Sequence, residues 1–242
     1  MSTHNVSLVQ ALLGGAVVRP AEDAVGYWSP ATAPINWCES DYEVSLFVAE
    51  FWNTITNLAY VVVGGAALRH RGLSIRLMCA AICCILTGIF SGLFHATLYL
   101  EHQRLDEVFE NGILIFLCYD DKNGAMALAH FAIATAGILH IESIRFCEIH
   151  LVTMIFITIY KFAKAATNVP AVQRAIHISA AATAAGFASW LVDRTCCRLV
   201  STPHGFFPFN LQLHAWWHIW TALALHQGFV ASRLLSRLAK QD

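Results

Sequence analysis

The chain has 242 residues, of which 57% are hydrophobic and only 13% charged, with a mean hydropathy of +0.55. A soluble domain carries about 25% charged residues, so this composition excludes an ordinary soluble globule and an intrinsically disordered chain. The formal net charge of -1 leaves no basic footprint for nucleic acid, and eight cysteines, several inside apolar runs, do not make a disulfide scaffold.

A membrane helix needs about 20 mostly apolar residues. Seven stretches meet that requirement: 44–68, 75–98, 104–119, 124–141, 144–162, 174–193 and 211–233. The third is the weakest, because Asp106, Glu107 and Glu110 lie close together in it, but without it the fourth has no return crossing. Ahead of these stretches stand SLVQALLGGAVV, which lacks the basic start of a signal peptide and reads as a surface or interfacial segment, and a proline-rich run from Pro20 to Pro34. The expectation is an all-α integral membrane bundle of seven transmembrane helices: a tail over 1–25, a catalytic membrane domain over 26–236 and a short tail over 237–242.

Lysine and arginine concentrate on the cytoplasmic side of membrane proteins. Alternating the segments puts Arg19, Arg104, Arg145, Arg194 and Arg198 on one side and the other ten basic residues on the opposite side. The N-terminus is therefore expected in the lumen or outside and the C-terminus in the cytosol. Asn5-Val6-Ser7 is a glycosylation sequon on the side that permits modification.

Ionisable groups inside a span cost about 2.5–3.5 kcal/mol each on insertion scales, which makes them functional candidates. In the second span, SGLFHATLYL puts Ser91 and His95 on one helix face. Asp106 follows at the start of the third. In the last span, LQLHAWWHIW puts His214 and His218 at i and i+4, where both can reach one metal ion. Given the directions of their helices, these residues all fall at similar depth in the outer half of the membrane. Three imidazoles with an open fourth position form a familiar catalytic zinc arrangement. His130 and His177 also lie within spans, with no partner identifiable from sequence. A further cluster precedes the first span: Asn36, Glu39 and Asp41 offer oxygen donors suited to a hard cation such as calcium, and Glu50 in the following apolar stretch needs a partner.

The run NWCESDYEVSLFVAEFWNTITNL resembles the N-terminal signature of alkaline ceramidases, close to D-W-C-E-x-N-Y followed by A-E-F-W-N-T. The S-x-x-x-H element at Ser91 and His95, Asp106 eleven residues on, and H-x-W-W-H from His214 to His218 match the remaining motifs in order and spacing. These shorter motifs also occur in the wider superfamily of adiponectin and progestin-type receptors. The resemblance covers the chain from about Gly26 to the end of the seventh helix. It implies a seven-helix zinc amidase that releases a fatty acid and a sphingoid base from ceramide; lumenal chemistry and cysteine pairing suggest the endoplasmic reticulum or Golgi membrane, and no protein partner is implied. By position, it implies zinc at His95, His214 and His218, with Ser91 and Asp106 serving the oxyanion and the reacting water. It also implies calcium at Asn36, Trp37 (through its carbonyl), Glu39, Asp41 and Glu50. A disulfide from Cys38 to Cys197 or its neighbour Cys196 is implied as well. Two positions depart from the family pattern: its leading Asp is Asn36 here and its Asn is Asp41, an exchange that keeps the oxygen count and total charge. The alternative reading is a receptor-type protein of the same superfamily with little or slow hydrolysis. A transporter using intramembrane acids as an ion path is the rival from another class.

Overall fold

The computed structural model describes residues 25–141, 144–165, 168–200 and 209–238. The sequon, the segment SLVQALLGGAVV and the last four residues lie outside the described residues. Within them the chain is all-helical, with no strand beyond an isolated bridge between Ser45 and Val48. The helices are α1 (Phe51–Thr56), α2 (Leu58–Leu68), α3 (Ile75–Thr97), α4 (Leu100–Cys118), α5 (Gly124–His140), α6 (Ile144–Lys164), α7 (Pro170–Val200) and α8 (Leu213–Leu238).

All seven apolar stretches fall on helices, with corrections at their ends. The first begins at Phe51 instead of residue 44, and it is interrupted at Asn57, so α1 and α2 share one stretch. Residues 44–50 are irregular because their backbone has another use: Ala49 and Glu50 donate their N–H groups to the carbonyls of Ala96 and His95 at the end of α3 (3.0 and 2.9 Å). Further back, Thr32 and Ala33 donate to the carbonyl of Leu98 (3.1 and 2.9 Å). The last carbonyls of a helix have no partner within it, and here the N-terminal segment supplies several. Leu98, in the left-handed conformation, ends α3, and α4 starts two residues later. α7 runs on beyond the expected 193, with a non-helical Cys196 inside it.

Among the described residues, three helical stretches have the length and apolarity to cross a membrane, Ile75–Thr97, Phe146–Lys164 and Pro170–Cys197, the mark of a membrane protein. Polarity is distributed to match. Ile133, Ile149 and Phe156 are exposed on the outer surface, while Asn53, Asn57, Gln103, Asn111 and Asp193 are buried. Lipid solvates the former, and the latter find partners inside. One example ties α4, α5 and α6 together. Tyr119 meets His130 Nδ1, His130 Nε2 faces His150 Nε2 at 3.0 Å, and His150 Nδ1 reaches Asn111 Oδ1 at 2.6 Å. His130 thus has the partner that its sequence position does not reveal. At the opposite end from the α3–α4 turn, Arg76 and Lys161 donate to the final carbonyls of α4, where positive charge is favourable.

Small residues set how closely the helices approach. A Cβ added at Gly64 of α2 would sit 2.6 Å from the Ala81 carbonyl oxygen on α3, and one added at Gly88 of α3 would sit 2.8 Å from the Asn57 carbonyl oxygen. Membrane helices associate through close packing of this kind. Gly64→Val is therefore expected to force α2 away from α3 and lower stability by about 1–3 kcal/mol, read as a depressed melting temperature of the detergent-purified protein. An unchanged melting temperature would contradict this account of the α2–α3 contact.

Candidate metal centre and reaction chamber

The end of α3, the start of α8 and the first turns of α4 converge beneath the N-terminal segment. His95, His214 and His218 are all buried there, and one potential ligand atom from each lies within 4.8 Å of the other two. Among the described residues this is the one group of three or more such side chains. The i,i+4 spacing puts His214 and His218 on one face of α8, edge to face with ring centroids 4.7 Å apart, and His95 faces them from α3 at 5.0 and 5.1 Å.

Two of the rings are held from behind. Glu50, fully buried, accepts a hydrogen bond from His95 Nδ1, and the same carboxylate accepts from the Asn53 side chain (3.0 Å) and the Trp37 N–H (3.2 Å). The Thr56 hydroxyl donates to the Trp52 carbonyl (2.8 Å), which leaves its oxygen to accept from His218 Nδ1 at 2.9 Å. With Nδ1 protonated and occupied on both rings, Nε2 of each carries the lone pair that a metal requires, the usual way in which a neighbouring group fixes a ligand's tautomer. His214 is held by its face instead: the Trp37 ring stacks on it at 3.5 Å and 15°. Its Nδ1 is buried and makes no hydrogen bond. A buried polar atom without a partner is costly, and a cation at the centre of the three rings fits this donor set.

Ser91, Asp106 and the three histidines line one chamber, of roughly 630 Å³ counting its open mouth. Ser91 lines it from α3 and Asp106 from α4. Glu107 is held by Gln103 (2.7 Å) and Arg104 (3.1 Å). At the mouth, Glu148 pairs with Arg194 at 2.6 Å, and that guanidinium lies 5.5 Å from the Trp37 ring and 5.6 Å from the Trp190 ring. A second cavity, about 670 Å³ with its opening, runs from the chamber toward the far end of the bundle. Its walls include Leu114, Ile155, Phe162 and Leu225, and it shares Tyr60, Glu110, Leu151 and Trp217 with the chamber. The pair forms a polar room joined to an apolar sleeve.

The oxygen-rich segment lies directly above. Asn36 donates to Asp41 at 3.3 Å, and its own Oδ1 is buried without a hydrogen bond. Both oxygens of Glu39 accept N–H groups at the start of α1, from Trp52 (2.6 Å) and Asn53 (2.8 Å). Burial nevertheless pushes the Glu39 carboxyl up to about 7, those two N–H groups opposing the rise and neighbouring Glu50 and Asp193 adding to it. Cys38 is disulfide-bonded to Cys197, which settles the choice between Cys197 and Cys196, and its N–H donates to Asp193 at 3.0 Å.

The structure therefore brings His95, His214, His218, Ser91 and Asp106 into one space. It places Glu50 between the histidines and the oxygen-rich segment, in contact with His95. Thr56, the Trp37 ring and Tyr60 have no sequence signal for their positions. Glu107 and Glu110 do, since acids within an apolar span are rarely bland.

The ceramidase family profile matches residues 29–242. The chain is 31% identical over 227 residues to mouse alkaline ceramidase 3, covering 85% of each chain. It is 28% identical over 214 residues to an alkaline ceramidase of Arabidopsis thaliana, covering 82% of each. With an alkaline ceramidase of Drosophila melanogaster it shares 25% over 241 residues, which is 90% of this chain and 82% of the relative. A match of this extent makes the chain a member of the ceramidase family.

Proposed function

We propose that the protein is a zinc-dependent amidase that hydrolyses ceramides to a sphingoid base and a free fatty acid. The observation that carries this reading is the convergence of three buried imidazoles with Ser91 and Asp106 at the head of an apolar sleeve. The bundle would cross an endoplasmic reticulum or Golgi membrane seven times, with the N-terminus lumenal and the C-terminus cytosolic, in keeping with the bias of its basic residues.

His95, His214 and His218 would hold zinc, which favours neutral imidazole ligands. When bound, the ion would polarise the amide carbonyl and make a nearby water easier to deprotonate. Asp106 takes the proton as the water oxygen attacks the carbonyl carbon. It returns that proton to the nitrogen as the C–N bond breaks, so the amine leaves neutral. Ser91, in the same chamber, turns its hydroxyl to the developing oxyanion. The apolar sleeve receives one hydrocarbon chain and so sets the scissile bond at the level of Asp106.

Calcium is proposed at Asn36, the Trp37 carbonyl, Glu39, Asp41 and Glu50. The unpartnered Asn36 Oδ1 and the raised Glu39 carboxyl support a cation there. Carboxylate oxygens that already accept N–H groups keep a second lone pair for it. Its role would be to fix the segment that carries Trp37 over His214.

Fatty acid release from a ceramide panel by the purified protein tests the reading directly. Wild-type protein is expected to turn over, and His214→Ala to lose both zinc and turnover. Absence of release from every ceramide by zinc-loaded protein would refute it. Asp106→Ala is expected to keep zinc while turnover falls by about 10²–10⁴; normal turnover in that variant would remove Asp106 from its assigned role.

Thr56→Val, which leaves His218 Nδ1 without its partner, is expected to weaken zinc retention by about 10–100-fold, measured by competition with a chromogenic chelator. Retention equal to wild type would mean that Thr56 does not orient the ring. Selective chelation of calcium is expected to lower the melting temperature of the zinc-loaded protein. No shift in either melting temperature or turnover would refute a required calcium ion.

A further inference from the structure

At the end of α8 away from the chamber, α2, the turn after it and α8 enclose a separate pocket of about 320 Å³ including its mouth. Its floor is apolar, built from Val63, Leu73, Phe229 and others. Its rim carries His70, His226 and Arg233. His70, His226 and Arg233 thus share one small opening; partial desolvation, and then the charges of Arg233, of Arg237 outside the lining and of His226, hold the His70 imidazole below its ordinary pKa. None of the four takes part in an ion pair among the described residues, and the pocket lining contains no acid. The Arg233 Nε is cut off from solvent and makes no hydrogen bond. A buried N–H of a charged group left in this state is costly, so the geometry calls for an acceptor that enters from outside.

We propose that this pocket binds the phosphate of an anionic membrane lipid. A guanidinium donates two parallel hydrogen bonds to phosphate oxygens, and imidazoles beside it add further donors. Basic pockets between transmembrane helices at the positively charged end of a bundle hold acidic headgroups in this way, and Arg69, Arg71 and Arg76 lie at the same end of this one. The apolar floor selects a lipid over free phosphate, because Val63, Leu73 and Phe229 have nothing to contact in a bare anion but fit the glycerol backbone and first methylenes of an acyl chain. The site lies at the opposite end of α8 from His214 and His218, so its occupant is not a substrate of the chamber.

The test is native mass spectrometry of the full-length protein in detergent, with phosphatidic acid, with phosphatidylcholine of the same acyl chains, and with inorganic phosphate as competitor. Wild-type protein is expected to retain phosphatidic acid at least about tenfold over phosphatidylcholine, and the Arg233→Gln/His226→Gln variant to lose about tenfold of that retention. Ceramide turnover in neutral detergent should be unchanged, so the result is read independently of hydrolysis. If the double variant does not fold, His226→Gln alone, on an exposed side chain, is expected to lower retention about threefold. Equal retention of the two lipids by wild-type protein, or undiminished phosphatidic acid on a folded variant, overturns the proposal. Displacement of the lipid by an equal concentration of inorganic phosphate overturns the lipid as occupant.

Discussion

The Glu50 carboxylate is the constraint around which this end of the molecule is arranged. A buried carboxylate is tolerated only when it is paired and hydrogen-bonded, and Glu50 obtains that from three directions. The Trp37 N–H comes from the N-terminal segment, the Asn53 amide from α1, and the His95 imidazole from α3. Its own N–H donates to the His95 carbonyl, so side chain and backbone bind the same residue. Replacing Glu50 by an apolar residue would therefore free the segment from α1 and α3 together. Trp37 travels with that segment, and the support behind the His214 ring travels with Trp37.

The bundle solves two problems with opposite chemistries in adjacent layers. Contacts between α2 and α3 rely on the absence of side chains at Gly64 and Gly88, which brings backbones together where lipid offers no hydrophobic drive for association. Around the chamber the facing helices instead present carboxylates, amides and imidazoles. Asn111 shows how the layers are joined, since it bonds to Glu107 of its own helix and to His150 on α6. The polar network that surrounds the chamber thus also ties α4 to α6.

Much of the site is legible in the sequence because helices convert spacing into direction. His214 and His218 at i,i+4 must share a face, as must Ser91 and His95, and the alternation of spans puts all of them at one depth. The same logic recovers the helices but misplaces the first one's start. SLFVA is apolar enough to extend the stretch back to residue 44, yet Leu46 and Phe47 are exposed loop residues at 64% and 65%. Hydropathy records affinity for lipid without recording backbone conformation. The weak third stretch is weak for a physical reason, since the acids that depress its hydropathy are the ones that line the chamber. Contacts between remote elements leave no periodic trace. Thr56 behind His218, Trp37 on His214 and His130 against His150 belong to that class.

The proposed ligand set also has a temporal side. Among the described helices, His95 lies in α3 and His214 and His218 in α8, while the two supporting groups, Glu50 and Thr56, stand ahead of both in the chain. Until α8 is in place, an early intermediate holds one imidazole with its carboxylate and nothing to complete the set. Tight capture of the proposed metal would thereby be postponed to the final step of insertion. A chain that stalls or inserts with a helix missing would stay metal-poor, and its metal content would report whether assembly had been completed.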